Sequence, residues 1–353
     1  LSPDHKSLMA ELLSKNTKIP IIEILDDSEI KMNCIYLIPP TKNLIIENQH
    51  LRLLDKPKGM QLNLPINLFF ESLAEYSGQN CAGIILSGTG SDGSRGIKAI
   101  KEKGGVVMVQ TPEQAKFDGM PKSAINTGCA DFIVPVEQMS DELVTFFETA
   151  NNIEFDTELV NYEEHILNEI LQVLKQNTAL DFGLYKRPTL LRRIAKRMRV
   201  VKTNSLEEYL TYIKIETDEI QVLYNEFLIG VTKFYRDYKA WETLENKVIP
   251  DLVRSKEDGD ILKIWEVGCS TGEEAYSLAI SFKEEIEAQQ KDIKLKIFAT
   301  DISQDHLDIA ANGSYEEGVA GDISVELLEK YFKKDELNNY KVKDSIRKSV
   351  IFS

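Results

Sequence analysis

The sequence predicts a multi-domain α/β protein: a partial doubly wound domain, then a small all-α domain, then a truncated Rossmann-like domain, along 353 residues. Three observations predict it. Strand-like apolar runs alternate with helical stretches over residues 1–140. Residues 162–228 keep helical periodicity and lose the strands. The alternation returns from Ile261 onward, and alternation of this kind implies a parallel sheet with covering helices. A chain of this length exceeds one average domain, and its 42% hydrophobic and 28% charged content suits buried cores.

Cys34 to Ile38 and Ala82 to Leu86 are short apolar runs bounded by proline or glycine, and read as buried strands. Leu64 to Tyr76 and Ser94 to Lys103 read as helices, and Val106 to Val109 and Phe132 to Val134 as further strands. From Met139 to Asn161 the chain turns acidic and helical, as a connecting segment would. Strands are expected again at Ile261 to Val267, Leu295 to Thr300 and Val350 to Ser353. The resulting domain limits are 1–140, 141–161 (linker), 162–228 and 229–353. The chain opens at Leu1 without methionine and stops on an apolar run, so it is expected to be an internal piece of a longer protein.

A net charge of −15 argues against nucleic acid as a partner, because counterion release needs a basic face. Cys34, Cys81, Cys129 and Cys269 form no CxxC pair, and His5, His50, His165 and His306 are scattered. No metal site is expected, and a reducing cytoplasm is the expected location. No apolar run approaches the roughly 18 to 20 residues that span a bilayer, so membrane insertion is not expected.

The chemistry concentrates where Ile261-Leu-Lys-Ile-Trp-Glu-Val267 runs into Gly268-Cys-Ser-Thr-Gly272 and a helix beginning near Glu273, with Asp301 ending the next strand. Glycines allow a tight turn and a close ligand, and a ligand there lies off the carboxyl end of the strand. An acid ending the second strand suits ribose hydroxyls. A bland βα turn would explain the glycines alone. The dinucleotide pattern G-x-G-x-x-G is absent, and Glu273 and Glu274 disfavour a phosphate. They suit a cation such as the ammonium and sulfonium of S-adenosylmethionine.

Trp265 to Tyr276 resembles the signature of the CheR-type chemotaxis methyltransferases, and the resemblance extends through Phe227-Leu-Ile-Gly-Val-Thr-Lys-Phe-Tyr-Arg-Asp237 over roughly residues 162 to 353. It implies S-adenosylmethionine as cofactor, a pocket lined by Thr232, Arg236, Gly268, Ser270, Gly272, Glu274 and Asp301, and Asp301 on the ribose. Arg236 would be catalytic as well, facing the reacting carboxylate; Gly230 stands where many members have asparagine. The implied reaction is methyl transfer to a glutamate side chain. A glutamate with a pKa of about 4.3 is already ionised at neutral pH, so no general base is needed. Alignment of oxygen, methyl carbon and sulfur is what the enzyme supplies, and a forked guanidinium matches the carboxylate. The plainer reading of Arg236 is a surface ion pair with Asp237.

Between Lys186 and Lys202 there are eight Lys or Arg residues and no acid. Leu191, Ile194, Met198 and Val201 recur at helical spacing as the expected buried face. Arg192, Lys196 and Arg199 would share another face, with Arg193 and Arg197 beside it. A solvated charged face is the bland reading. The resemblance implies that the basic helix Arg192–Arg199 docks on the acidic helices of a chemoreceptor or receptor-like signalling protein; an anionic membrane surface is a third reading.

Leu86-Ser-Gly-Thr-Gly-Ser-Asp-Gly-Ser-Arg-Gly96 leaves a strand and enters a helix, with Asp92 at the strand end. Asp92 is read either as a helix-capping turn residue or as a carboxylate that orients a catalytic histidine. Together with Gly104 to Ala115 and Phe117 to Ile125, this segment resembles the CheB methylesterase domain over residues 1 to 140. The resemblance makes Asp92 the catalytic triad acid and places the nucleophilic serine and the histidine upstream of Leu1. The esterase half of this chain is therefore expected to be inactive, and His5 is not that histidine. The whole resembles a CheB–CheR-type fusion that adds and removes methyl esters on glutamates of a signalling partner. A non-catalytic scaffold and a methyltransferase for a different substrate are the alternatives.

Overall fold

The computed structural model describes residues 8–56, 63–152, 160–178, 180–230, 232–335 and 339–353. His5 and the later part of the expected linker lie outside them. Two units emerge, one holding residues 8–56 and Pro65–Ile229, the other Asn63, Leu64 and the described part of Gly230–Ser353.

In the first unit, α1 (Met9–Ser14), β1 (Ile21–Glu23), β2 (Ser28–Glu29), β3 (Ile35–Leu37), β4 (Lys42–Glu47) and β5 (His50–Asp55) come first. β1 pairs parallel with β3, while β4 and β5 form an antiparallel hairpin flanked by β2. Asn48 and Gln49 at its tip both have positive φ, the twist a two-residue hairpin turn needs. Next come α2 (Pro65–Ser77), β6 (Ala82–Ile85), α3 (Ser94–Glu102), β7 (Val106–Gln110), α4 (Gly119–Asn126) and β8 (Phe132–Val134). The three strands make a parallel sheet in the order β6-β7-β8. The central β7 is buried at every position, as a strand covered on both faces must be.

α5 (Val136–Asn152) follows, then the helical region: α6 (Val160–Thr178), α7 (Arg187–Val201), α8 (Leu206–Ile215) and α9 (Asp218–Phe227). Its core gathers Leu167, Ile170, Leu174, Leu190, Ile194, Met198, Tyr209 and Leu223 around Phe182. Ser205 accepts the Glu208 N–H while the Glu208 carboxylate takes the Asn204 N–H, so α8 is capped from both sides.

The basic helix departs from expectation. Leu190, Ile194 and Met198 enter the helical core, but the face expected to carry free cations is also covered. Lys196, Arg197 and Arg199 are buried, and of the five cations expected there only Arg192 is exposed. Lys196 Nζ lies 3.1 Å from Asp131 and 3.5 Å from Glu226, and Lys101 Nζ lies 3.2 Å and 3.1 Å from the same two carboxylates. Arg197 donates two 2.8 Å bonds to Glu219, which also accepts from the Tyr209 hydroxyl. Arg199 sits 5.4 Å from the Phe146 ring centroid on α5. Buried charges persist only when paired: Lys196 and Arg197 have carboxylates from α9 or the turn before β8, and Arg199 has the Phe146 ring of α5. Burial pushes the Asp131 carboxyl up, but Lys196 and Lys101 outweigh it and hold it below the usual range.

The second unit contains α10 (Tyr238–Thr243), α11 (Ile249–Arg254), β9 (Ile261–Val267), α12 (Glu273–Ala288), β10 (Lys294–Thr300), α13 (Gln304–Asn312), β11 (Ser314–Tyr315), α14 (Val325–Tyr331), β12 (Phe332–Lys334), β13 (Tyr340–Val342), α15 (Asp344–Arg347) and β14 (Val350–Phe352). β14, β10 and β9 form a parallel sheet in that order, with Ile264 opposite Ile297. Tyr276, Ala279 and Ile280 of α12 pack with Ile297, Ala299 and Val350 in its core. A second, antiparallel sheet, β11-β13-β12, was not expected from the sequence.

Candidate cofactor site and family membership

The glycine turn sits where the sequence places it, at the carboxyl end of β9. Gly268, Ser270 and Gly272 all have positive φ, so the backbone folds back on itself before α12 begins. The Gly268 and Cys269 N–H groups donate to the Thr300 carbonyl, which ties the turn to the end of β10. Gly272 also meets a space limit: a Cβ there would lie 2.8 Å from the Ala310 Cβ on α13.

Asp301 is the anchor of the site. Its Oδ2 accepts the Ser270 N–H at 2.7 Å and its Oδ1 accepts the Ser303 N–H at 2.9 Å. A carboxylate has about four acceptor positions, so two remain for a ligand's hydroxyls. The same two bonds bring Ser270 of the turn and Ser303, the N-cap of α13, to one carboxylate.

Glu266 was missed by the motif reading. The inward side of β9 carries Leu262 and Glu266, so strand alternation alone points the side chain inside. It is 8% exposed, and its Oε2 has no hydrogen-bond partner in the protein. Burial pushes its carboxyl up to about 8, helped by Glu274, Asp301 and Glu273. Glu273 is buried and accepts from the Thr271 hydroxyl, and Glu274 is exposed beside them. Three carboxylates and one buried, unpaired carboxyl that keeps its proton until a cation arrives suit a cationic ligand and disfavour a phosphate.

A stability prediction follows. A buried carboxyl raised to about 8 keeps its proton in the fold, whereas the unfolded chain ionises near 4.5. The second unit is then most stable below the unfolded value and loses stability as pH rises towards 8, by a few kcal/mol at the order of magnitude. Thermal melts between pH 5 and pH 8.5 should show this fall, and Glu266→Gln should flatten it. An unchanged slope in the variant would place the titration elsewhere.

The segment carrying Thr232 and Arg236 is pinned by its neighbours. Phe234 is buried edge-on against Tyr315 and Phe332, at 5.1 Å and 5.6 Å between centroids. The Tyr235 N–H donates to Ser277 Oγ on α12, and Ser277 donates to the Glu273 carbonyl. Thr232 and Arg236 are half-buried on this segment, and Asp237 is exposed. The structure thus joins Gly268, Ser270, Gly272 and Asp301 directly, sets Glu274 at their edge, and ties Thr232 and Arg236 to them through α12.

Asp92 belongs to the first unit. Its Oδ2 accepts the Ile66 N–H at 3.1 Å and its Oδ1 the Asn67 N–H at 3.0 Å, which caps α2. Asn67 in turn accepts the Gly93, Arg95 and Gly96 N–H groups at the start of α3. The two helices cap each other, and Asp92 serves α2 rather than the helix it precedes. Burial raises its carboxyl despite these bonds.

Three family models match the chain: CheB methylesterase over residues 1–143, the all-alpha domain of CheR methyltransferase over 166–228, and the CheR methyltransferase SAM binding domain over 230–353. A Leptospira interrogans relative bearing the name protein-glutamate methylesterase/protein-glutamine glutaminase is 33% identical over 144 residues, covering 40% of this chain and 74% of that protein. The chain belongs to the CheB–CheR family. An uncharacterised 104.1 kDa protein of Rhodobacter capsulatus is 35% identical over 98% of the CheB–CheR chain, which spans 38% of that relative's length. A chemotaxis protein methyltransferase of Borreliella burgdorferi is 29% identical over 55% of the chain and 70% of its own length. The glycine turn and Asp301 thus lie in a domain whose family binds S-adenosylmethionine. Among the described residues no helix is long and apolar enough to cross a membrane, and no group of side chains is arranged to hold a metal ion.

Proposed function

We propose that this CheB–CheR chain belongs to a cytoplasmic protein that methylates glutamate side chains of a chemoreceptor-like signalling protein and hydrolyses the resulting esters. The observation that carries the transferase reading is the unpaired Glu266 carboxyl at the end of β9, close to Asp301 at the end of β10. That donor set suits S-adenosylmethionine, which when bound supplies an electrophilic methyl group on a cationic sulfur. Asp301 would hold the ribose, Gly268, Ser270 and Gly272 would let the ligand close on the backbone, and Glu274 and Thr232 would border it. Arg236 would orient the acceptor carboxylate through its forked donors. The acceptor is already ionised, so the chain needs no base there.

In the esterase half, Asp92 would orient a histidine, using acceptor positions left over from capping α2. Docking of an acidic receptor helix would fall to the exposed edge of the basic helix, around Lys186 and Arg192, because Lys196, Arg197 and Arg199 are engaged internally. The test is transfer of labelled methyl from S-adenosylmethionine to an acidic receptor fragment. The expected product is base-labile, the signature of a glutamyl ester, and Arg236→Ala should lower kcat/KM by about 100-fold, the size of a lost charged hydrogen-bond pair. Base-stable label would point to another methyl acceptor, and cofactor binding without label on any acceptor would point to a scaffold.

A further inference from the structure

Gly230 raises a question that its backbone does not answer. Its φ lies outside the left-handed region, so no turn requires glycine there. Space requires it. A Cβ on Gly230 would stand 2.2 Å from Ser270 Oγ and 2.9 Å from His306 Cε1, so two polar side chains occupy the volume a side chain would need. Ser270 Oγ is buried, on a residue 7% exposed, and has no hydrogen-bond partner in the protein. A buried hydroxyl left without a partner is unfavourable, and a ligand can supply that partner.

His306 reaches this place from the first turn of α13. Its N–H donates to Ser303 Oγ, and the Ser303 N–H donates to Asp301. The Ser270 N–H donates to the other oxygen of Asp301. An imidazole and a hydroxyl therefore meet at the Gly230 backbone, and the Asp301 carboxylate accepts from the N–H groups of Ser270 and Ser303 that carry this arrangement. We propose that His306 contacts the bound cofactor at its ribose, acting with Ser270 as a hydrogen-bond donor to the hydroxyls whose protons Asp301 accepts.

The chemistry is complementary. Each ribose hydroxyl donates one hydrogen bond and accepts others. Asp301 takes the donated protons, which leaves the hydroxyl lone pairs facing outward. A hydroxyl from Ser270 and a ring N–H from His306 satisfy them. Gly230 is then a specificity position in its own right, because any Cβ forces one of the two donors aside.

The inference rests on the cofactor reading, and the experiment separates the two. S-adenosylhomocysteine and its 2′-deoxyribose analogue are titrated calorimetrically into the native chain, His306→Ala, His306→Gln and Gly230→Ala, with thermal melts confirming the fold. Native binding of S-adenosylhomocysteine tests the cofactor reading itself, and its absence from a folded native chain overturns both. Given native binding, His306→Ala should weaken S-adenosylhomocysteine by about 5- to 10-fold, one hydrogen bond's worth. It should weaken the deoxy analogue by clearly less, and His306→Gln, which keeps a donor, should recover part of the loss. Gly230→Ala should weaken S-adenosylhomocysteine at least as much as His306→Ala. Native affinity in His306→Ala, or an equal loss for both ligands, overturns the ribose contact.

Discussion

Asp301→Ala is expected to weaken S-adenosylhomocysteine by at least roughly 100-fold, about 3 kcal/mol, with the second unit still folded. The loss has two sources. The ligand loses an acceptor with two free positions, each charged hydrogen bond contributing about 1.5–3 kcal/mol. The Ser270 and Ser303 N–H groups lose theirs, which releases the turn after β9 from the start of α13. Asp301→Asn keeps the side chain's shape and removes its charge. Its amide keeps one acceptor for a backbone N–H but turns an NH2 group towards the other donor, so it should bind almost as poorly as alanine. Calorimetric titration reads both variants, and native-like affinity in either would remove Asp301 from the cofactor site.

Lys196→Met is expected to destabilise the first unit by about 3–5 kcal/mol, the usual effect of removing one partner from a buried ion pair. Lys196 is 1% exposed and stands between Asp131 and Glu226. Without it, Lys101 is the remaining cation for two buried carboxylates. Hydrogen exchange of the α7 and α9 amides measures the effect as a lower free energy of opening. Lys196→Met combined with Glu226→Gln removes one charge of each sign and should recover most of the loss. A single variant that shifts opening by less than about 1 kcal/mol would show that the two carboxylates do not depend on Lys196.

The cofactor turn was legible because spacing carries its information: two glycines, paired acids and an acid ending the next strand leave few other arrangements. Glu266 was equally legible by strand alternation, and went unread because the glycine motif begins two residues later. His306 was one of four scattered histidines; only the fold brings it to Gly230, 76 positions earlier in the chain. The β4–β5 hairpin escaped because Asn48-Gln49 lacks the glycine that usually marks such a turn. β11, β12 and β13 are two or three residues long, too short for a period of two to register.

The basic helix shows a different limit. Its charge count is plain in the sequence, and a count gives the sign of a surface but not what covers it. The acids that cover it, Asp131, Glu219 and Glu226, lie on other elements, one of them 65 residues away from Lys196. Nothing local announces that pairing.

The four charges at that contact divide evenly between the two families. Lys101 and Asp131 come from the CheB-type segment, 3.2 Å apart, and Lys196 and Glu226 from the CheR-type helices, 3.5 Å apart. Each segment thus holds a cation and an anion of its own within ion-pair distance, and their contact adds the cross pairs Lys101–Glu226 and Lys196–Asp131. Two self-balanced pairs leave no net formal charge among the four side chains where the segments meet, so their junction is held by opposite charges without either segment contributing an excess.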